Sequence, residues 1–193
     1  MATAIIRPTA DVTNEWTSPA DPGNHHNYID DVVVVPNAGD GAFIGANKDD
    51  DGDIEVFDMD NDTQDVDGNS ISTIVIYVRA REQGGTTTNI IVNVNLGGWL
   101  ANRYLNPTLS WEWYPLAWGS LNCDQTDLDN LQIKFTAGTI VDPQFQEIDV
   151  AYCVITYDQV AVGYGHDFLG IPAANIDSIM GIPAANIDNI MGL

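Results

Sequence analysis

The chain has 193 residues, with 28 acidic and six basic side chains, a formal net charge of -22 and 45% hydrophobic residues. This length and apolar content predict one folded domain of ordinary size with a short appendage, and they exclude a disordered acidic tail. Because so negative a surface repels phosphate backbones and anionic headgroups, we expect no nucleic-acid or membrane partner.

The N-terminal residues carry no basic stretch followed by a long apolar run, so we expect no secretory signal. No window reaches the roughly 18 consecutive apolar residues that a transmembrane helix needs. We therefore expect synthesis in the cytoplasm without membrane insertion. The two cysteines are too few for a disulfide framework, and Cys153, inside an apolar run, is expected to be a buried, unreactive thiol.

The first predicted strand is Val32–Val35, which Pro36 closes. Ten acidic and no basic residues then fall between positions 49 and 67. Within this run, the segment from Asn47 to Asp58 has oxygen-bearing side chains, Gly52 and a final carboxylate at the spacing of an EF-hand calcium loop. The flanks do not predict amphipathic helices, and Asp58 stands where a bidentate Glu is usual. We favour a solvated acidic loop and expect no cofactor, with a calcium ion in this loop as the alternative.

Two segments with a period of two predict half-buried strands, and the loop 83–88 joins them as antiparallel neighbours. They are Thr73–Arg81, with Ile74, Ile76, Val78 and Ala80 on one face, and Asn89–Leu96, with Ile90, Val92, Val94 and Leu96 inward and Asn89, Asn93 and Asn95 outward.

Four of the five tryptophans fall between residues 99 and 118: Trp99, Trp111, Trp113 and Trp118. On a strand, Trp111 and Trp113 point to the same face, which is the arrangement of a sugar-stacking platform. The same arrangement also fills a sandwich core or a subunit interface. For most of the four, packing is the interpretation we favour, because large aromatic side chains dominate burial.

The segments Leu131–Thr136 and Ile148–Tyr157 predict two further strands, after a turn at 124–130. No capped helical pattern occurs before residue 160. Many short strands separated by Gly, Pro, Asn and Asp predict an all-β fold, an antiparallel jelly roll or β-sandwich, over residues 1–165.

Residues 166–193 differ, because they contain an 11-residue repeat: Gly170–Met180 recurs as Gly181–Met191 with a single change. Each unit has Pro near its start, Ala-Ala within it and Gly after it, which predicts two short helices. Helices this short need a covering surface. We predict an assembly anchor that docks on another chain, with folding back on the sandwich as the alternative. The predicted partner-contact residues are Ile171, Ile176, Ile179, Met180, Ile182, Ile187, Ile190 and Met191.

No catalytic motif and no zinc-site motif is present in the sequence. His25, His26 and His166 lack zinc-site spacing and are expected in surface loops, and no nucleophile elbow, phosphate loop or dinucleotide fingerprint occurs. We predict that the protein is not an enzyme.

Six segments together resemble jelly-roll virion structural proteins of tailed bacteriophages, and the Ala-Asn-Ile repeats resemble the ends of such proteins. The resemblance implies a non-enzymatic virion component, such as a capsid decoration, head fibre or tail component, with homo-oligomeric or other virion partners. The segments are Asp11–Trp16, Asn24–Asp31, Ile54–Phe57, Ile71–Arg81, Asp127–Ile133 and Ile148–Tyr157.

Two other functions fit the same sequence. The Trp99–Trp118 region suits a carbohydrate-binding module or adhesin, in which exposed aromatic rings stack on glycans. A subunit of an extracellular filament or surface layer would use the same C-terminal anchor.

Overall fold

A computed structural model describes the protein, and the chain divides into two compact units, residues 1–158 and 159–193. The described residues are 2–17, 24–30, 42–60, 70–84, 89–119, 121, 123, 125–141, 144–158, 178–179 and 182–183.

The first unit contains two antiparallel sheets. Sheet A is built around a long central strand that pairs with an equally long strand along one edge, while two shorter strands share its other edge. Its strands are β1 (Ala2–Ile6), β3 (Ile44–Ala46), β5 (Ser70–Gln83), β8 (Glu112–Gly119) and β10 (Phe145–Asp158). The order is β1-β10-β5-β8, with β3 beside β10.

Sheet B has the strand order β2-β4-β9-β6-β7. Its strands are β2 (Pro8–Asn14), β4 (Ile54–Met59), β6 (Ile90–Asn95), β7 (Arg103–Leu105) and β9 (Gln132–Thr136). Because its neighbours come from distant parts of the chain, sheet B brings residues 8–14 beside residues 54–59 and residues 90–95 beside residues 132–136.

The described residues also include one short α-helix, α1 (Gln125–Asp129), and two 3-10 helices, His25–Tyr28 and Lys48–Asp50. The α-helix lies within the turn predicted at 124–130. Nowhere in the described part of the chain is a helix long and apolar enough to span a membrane.

The core lies between the inner faces of the two sheets. Ile74, Ile76 and Val78 of β5 are fully buried, as are Val92 and Val94 of β6. Each buried side chain of this size contributes about 1.5–3 kcal/mol relative to an exposed one. The predicted all-β sandwich of the jelly-roll class and the predicted core faces of these strands are therefore confirmed, and Cys153 is buried as expected. The prediction that the loop 83–88 joins antiparallel neighbours is wrong, because β5 and β6 lie in different sheets. Asn93, predicted to face outward, is also buried. Val32–Val35 lies outside the described residues.

A β-bulge interrupts the pairing of β5 with β10. Ala80 pairs with Ile148, but the preceding residue on β5, Arg79, pairs with Val150, which leaves Asp149 as an additional residue on β10. A bulge of this kind redirects a side chain, and here the Asp149 carboxylate lies beside the Arg79 guanidinium.

In the second unit, Ser178–Ile179 (β11) and Ile182–Pro183 (β12) form an antiparallel pair. The prediction of two short helices in the repeat is therefore wrong at these residues. The physical reason lies in the repeat itself, because a residue that precedes proline, as Ile182 does, is disfavoured in the helical region. Isoleucine also favours strands over helices.

Candidate ligand-binding face

The outer face of sheet A carries a cluster of aromatic and charged side chains, which we call the aromatic face. It is defined by outward residues of β5 and β10 and by two tryptophans, one immediately before β8 and one within it. They are Tyr77, Arg79, Arg81, Trp111, Trp113, Glu147, Asp149 and Tyr152.

Three aromatic rings of this face pack against one another. The Tyr77 and Tyr152 rings are stacked, with centroids 5.0 Å apart and an interplanar angle of 8°. The Trp113 ring meets Tyr152 edge-on at 5.7 Å, and 38% of Trp113 is exposed. Burial and the neighbouring Tyr77 raise the pKa of the Tyr152 hydroxyl, so that this hydroxyl stays protonated at neutral pH. The tyrosine pair therefore supports an exposed Trp113 ring.

Trp111 lies over two arginines. The guanidinium carbons of Arg81 and Arg79 are 4.5 Å and 5.3 Å from the Trp111 ring centroid, within the range of cation–π attraction. Both arginines rise from the same face of β5, so they approach the ring from the sheet side. The Phe43 ring flanks Trp111 at 6.4 Å. These contacts hold the indole in a fixed orientation above the sheet.

Each arginine is also paired with a carboxylate from β10. Arg79 donates to Asp149, and the Nε of Arg81 donates to Glu147 Oε2 at 2.5 Å. The side-chain amide of Gln83 donates to the other oxygen of Glu147 at 2.6 Å. Exposure of the four charged side chains lies between 4% and 29%, so these pairs are largely screened from water.

A pocket of about 250 Å³ adjoins the aromatic face. Gly45 of β3 lies opposite Glu147 of β10 at its base, and its missing side chain leaves the space open. Phe43, which also contacts Trp111, belongs to the wall. The remaining lining residues are Thr17, Asn47, Gln83 and Phe145. The pocket thus combines two aromatic rings with amide and carboxylate groups.

Sheet B carries a larger but different cleft of about 620 Å³. Across its base, the Asn95 amide donates to Gln132 at 3.0 Å, and the Gln132 amide donates to Asp58 at 2.8 Å. These groups satisfy one another, and none of the described residues that line the cleft is aromatic. We therefore place the candidate site on sheet A.

The structure separates the predicted tryptophan cluster. Trp118 is buried in the core, as predicted for most of the cluster. Trp111 and Trp113 share the outer face of sheet A, which confirms the predicted common orientation. Trp99 is 45% exposed, with the Lys134 ammonium 4.3 Å from its ring centroid. Packing therefore accounts for Trp118 but not for the exposed rings of Trp99 and Trp113, while Trp111 is half-buried.

Sequence reasoning missed the partners of these tryptophans. Tyr77, Arg79 and Arg81 occupy the alternate positions of the Thr73–Arg81 strand, opposite its apolar face. That alternation signalled an outward surface, but nothing in the sequence indicated that β10 and β8 would lie on either side of it.

The acidic segment Asn47–Asp58 does not converge on one point. Asp50 accepts a hydrogen bond from the backbone of Asn47 at 2.8 Å and one from Thr17, and Glu55 points into the sandwich. Among the described residues, no group of three His, Cys, Asp or Glu side chains is placed to hold a metal ion. The solvated acidic loop stays a prediction, with calcium binding as its alternative.

The histidines are not all surface residues, contrary to expectation. His25 is fully buried, and its Nδ1 lies 2.9 Å from Glu55, whereas the partly buried His26 contacts Asp11 at 3.0 Å. Both belong to the 3-10 helix His25–Tyr28, so the expectation of loop histidines is wrong for His25. His166 lies outside the described residues.

Of the predicted partner-contact residues, Ile179 and Ile182 lie in the β11–β12 pair. The others, Ile171, Ile176, Met180, Ile187, Ile190 and Met191, lie outside the described residues. The anchor role of residues 166–193 stays a prediction.

Neither a family model nor a curated protein matches the sequence. Solved structures with similarity include the CBM36-1 domain of a multidomain xylanase from the hindgut metagenome of Trinervitermes trinervoides, at 10% identity and a TM-score of 0.43, covering 82% of this chain and all of that one. Another is CBM35 from Cellvibrio japonicus Abf62, at 16% identity and a TM-score of 0.47, covering 81% and 96%. At these values the matches supply no argument about what this chain binds.

Nothing in these comparisons supports the assignment to bacteriophage virions as a capsid decoration, and that assignment is not retained. The matched structures are carbohydrate-binding modules, including the N-terminal cellulose-binding domain of Cellulomonas fimi β-1,4-glucanase C at 13% identity and a TM-score of 0.37, covering 61% of this chain and 77% of that one. The resemblance drawn from the sequence rested on loose patterns of alternating residues, which are common to many antiparallel sandwiches.

Proposed function

We propose that this protein is a non-catalytic carbohydrate-binding module whose ligand lies on the aromatic face. The observation that carries the proposal is the pair Trp111 and Trp113, held on one sheet face by cation–π and aromatic contacts beside a pocket. Rigid rings of this kind provide contact area at low entropic cost on binding.

The chemistry of the face suits a sugar better than a purely apolar ligand. A pyranose ring has apolar C–H faces and a rim of hydroxyl groups, so it needs flat aromatic surface and hydrogen-bonding groups together. Trp111 supplies the first, and the side-chain amides of Gln83 and Asn47, which line the adjoining pocket, supply the second.

The dimensions of the face suit several sugar units. Trp111 immediately precedes β8, and Arg81, Glu147 and Gly45 lie on the next three strands of the sheet, β5, β10 and β3. At about 4.8 Å between neighbouring strands, this row spans about 14 Å. An oligosaccharide therefore fits better than a single ring, with the pocket at the β3 end.

Replacing the exposed ring tests the proposal. Trp113→Ala is expected to weaken glycan binding at least about tenfold, because truncating an aromatic anchor at the centre of a binding surface typically costs ~2 kcal/mol. The measurement is isothermal titration calorimetry against soluble oligosaccharides selected on a glycan array. Because 38% of Trp113 is already exposed, the fold should survive its removal.

Trp99→Ala is the matched control. Trp99 is similarly exposed but lies against Lys134 of sheet B, so its removal should leave glycan affinity within about twofold. Equal losses in the two variants would place the ligand elsewhere, and an array on which the wild-type protein binds no glycan would refute the proposal.

A further inference from the structure

We propose that the aromatic face selects uncharged glycans and rejects glycans that carry carboxylate or sulfate groups. This inference rests on the proposed function and specifies its ligand class. It follows from the pairing of each arginine of the face with a carboxylate of the protein.

The aromatic face has two cationic side chains, but each already forms an ion pair within the protein. Arg79 and Arg81 are two of only six basic residues in the chain, and each is paired with a carboxylate, Asp149 and Glu147 respectively. Two positive and two negative side chains leave the face without net charge. A ligand carboxylate would therefore have to compete with Asp149 or Glu147 for its guanidinium.

Competition by a ligand carboxylate is unfavourable because the carboxylates of Asp149 and Glu147 are held in place. They belong to the central strand of sheet A, their side chains are only 10% and 4% exposed, and Glu147 is also held by Gln83. An anionic sugar that reached Arg79 or Arg81 would lie beside a fixed negative charge, and juxtaposed like charges oppose binding.

Arg79 and Arg81 instead position the indole ring of Trp111. Both guanidiniums lie within 5.3 Å of the Trp111 ring centroid, and the carboxylates hold them there. Neutral sugar rings stack on such an indole without needing a charged receptor. Arg79 and Arg81 are therefore positioning residues for Trp111.

The electrostatic field of the whole chain also disfavours anionic ligands. A net charge of -22 lowers the local concentration of anionic ligands, an effect that salt screens over about 8 Å at physiological ionic strength. Short-range rejection by Asp149 and Glu147 should persist at high salt, since partly buried pairs are screened less.

The test compares matched hexasaccharides by titration calorimetry with the full chain: cellohexaose, xylohexaose and mannohexaose against hexagalacturonate. In 0.15 M salt, at least one neutral ligand should bind about tenfold or more tightly than the acidic one. The preference should persist in 0.5 M salt. If Trp113→Ala abolishes binding of the neutral ligand, the preference is assigned to the aromatic face.

Asp149→Asn should change the preference, because it releases the Arg79 charge while keeping the size of the side chain. The affinity ratio of acidic to neutral ligand should rise about fivefold, the upper end for a partly exposed charge pair. Asp58→Asn changes the net charge equally, but residue 58 lies on sheet B. The affinity ratio of acidic to neutral ligand in this variant should therefore equal that of the wild type. If thermal melting shows that Asp149→Asn is unfolded, Glu147→Gln makes the same change beside Arg81.

Three results would overturn the inference. Acidic ligand bound as tightly as neutral ligand would refute the selectivity while leaving the proposed function intact. An equal change of ratio in Asp58→Asn would assign the effect to net charge. Failure of every glycan to bind would refute both proposals together.

Discussion

Glu55 is a carboxylate on the inner side of a β-strand, where apolar side chains are expected. It is fully buried, and its Oε1 accepts the backbone N–H groups of Glu15 at 2.8 Å and Trp16 at 2.6 Å, while Oε2 meets His25 Nδ1 at 2.9 Å. Buried polar groups are tolerated when hydrogen bonds replace their water. Glu55 thereby fixes the segment after β2 to the start of β4.

Burial raises the pKa of Glu55 above its ordinary value of 4.5, against the opposing effect of its hydrogen bonds. The folded chain then binds this proton more tightly than the unfolded chain. The contribution of Glu55 to the free energy of unfolding is consequently fully present below pH 4.5, and it is lost as pH rises through the raised pKa.

Glu55→Gln should remove this dependence. The amide keeps an acceptor for the two backbone N–H groups but does not titrate, so the wild-type protein should lose stability relative to the variant as pH rises above 4.5. Urea unfolding at several pH values between 4 and 8 measures the difference. Glu112→Gln, at an exposed position of β8, is the control. A wild-type-minus-variant difference that does not change with pH would contradict the assignment.

The glycine at position 45 of strand β3 is explained by the pocket beside it. Gly45 has no positive φ, and a Cβ atom added there would meet Phe43, Gln146 and Glu147 at 3.5–3.7 Å, which is ordinary van der Waals contact. The backbone therefore does not require glycine. The open space above it is the pocket between Phe43 and Phe145.

Gly45→Leu should fill this pocket. The expected result is a loss of oligosaccharide affinity of about tenfold, ~1.4 kcal/mol, without a fall in the thermal midpoint, since glycine inside a strand is not a stabilising choice. Gly119→Leu, which adds the same side chain at the end of β8 where nothing lies within 4 Å, is the control. Unchanged affinity in Gly45→Leu would separate the pocket from the ligand site.

At the scale of elements, the sequence predicts strands well where alternation is regular. β5, β6 and β9 follow their apolar pattern on the core face. On the other face of β6, Asn93 is buried and its amide donates to the carbonyl of Leu100. The pattern could not indicate the bulge at Asp149, since one additional residue in β10 becomes apparent only against its partner strand. In the repeat, helix propensity was misleading at Ile182, where the following proline favours extended backbone.

At the scale of the whole molecule, the sandwich is complete within the first unit. Every strand pair of sheets A and B lies within residues 2–158. A chain that ends at residue 160 should therefore fold, with a thermal midpoint within about 3 °C of the full chain, which is less than ~1 kcal/mol at this size. Circular dichroism melting measures this directly.

A chain that ends at residue 144 provides the contrast. It lacks β10, which pairs with β1, β3 and β5, and should not fold. A chain ending at 160 that is also unfolded would mean that residues 161–193 contribute to the stability of the sandwich.

By itself, the sequence determined the all-β class, the core faces of the strands and the common side of Trp111 and Trp113. These are local properties, since the alternation of side chains is set within each strand. Only the tertiary structure decided which strands lie side by side. Residues 66 to 70 positions apart, Arg81 with Glu147 and Arg79 with Asp149, meet because β5 pairs with β10. The charge of -22 indicated repulsion of anions, but the neutrality of the aromatic face depends on pairings that no local pattern contains.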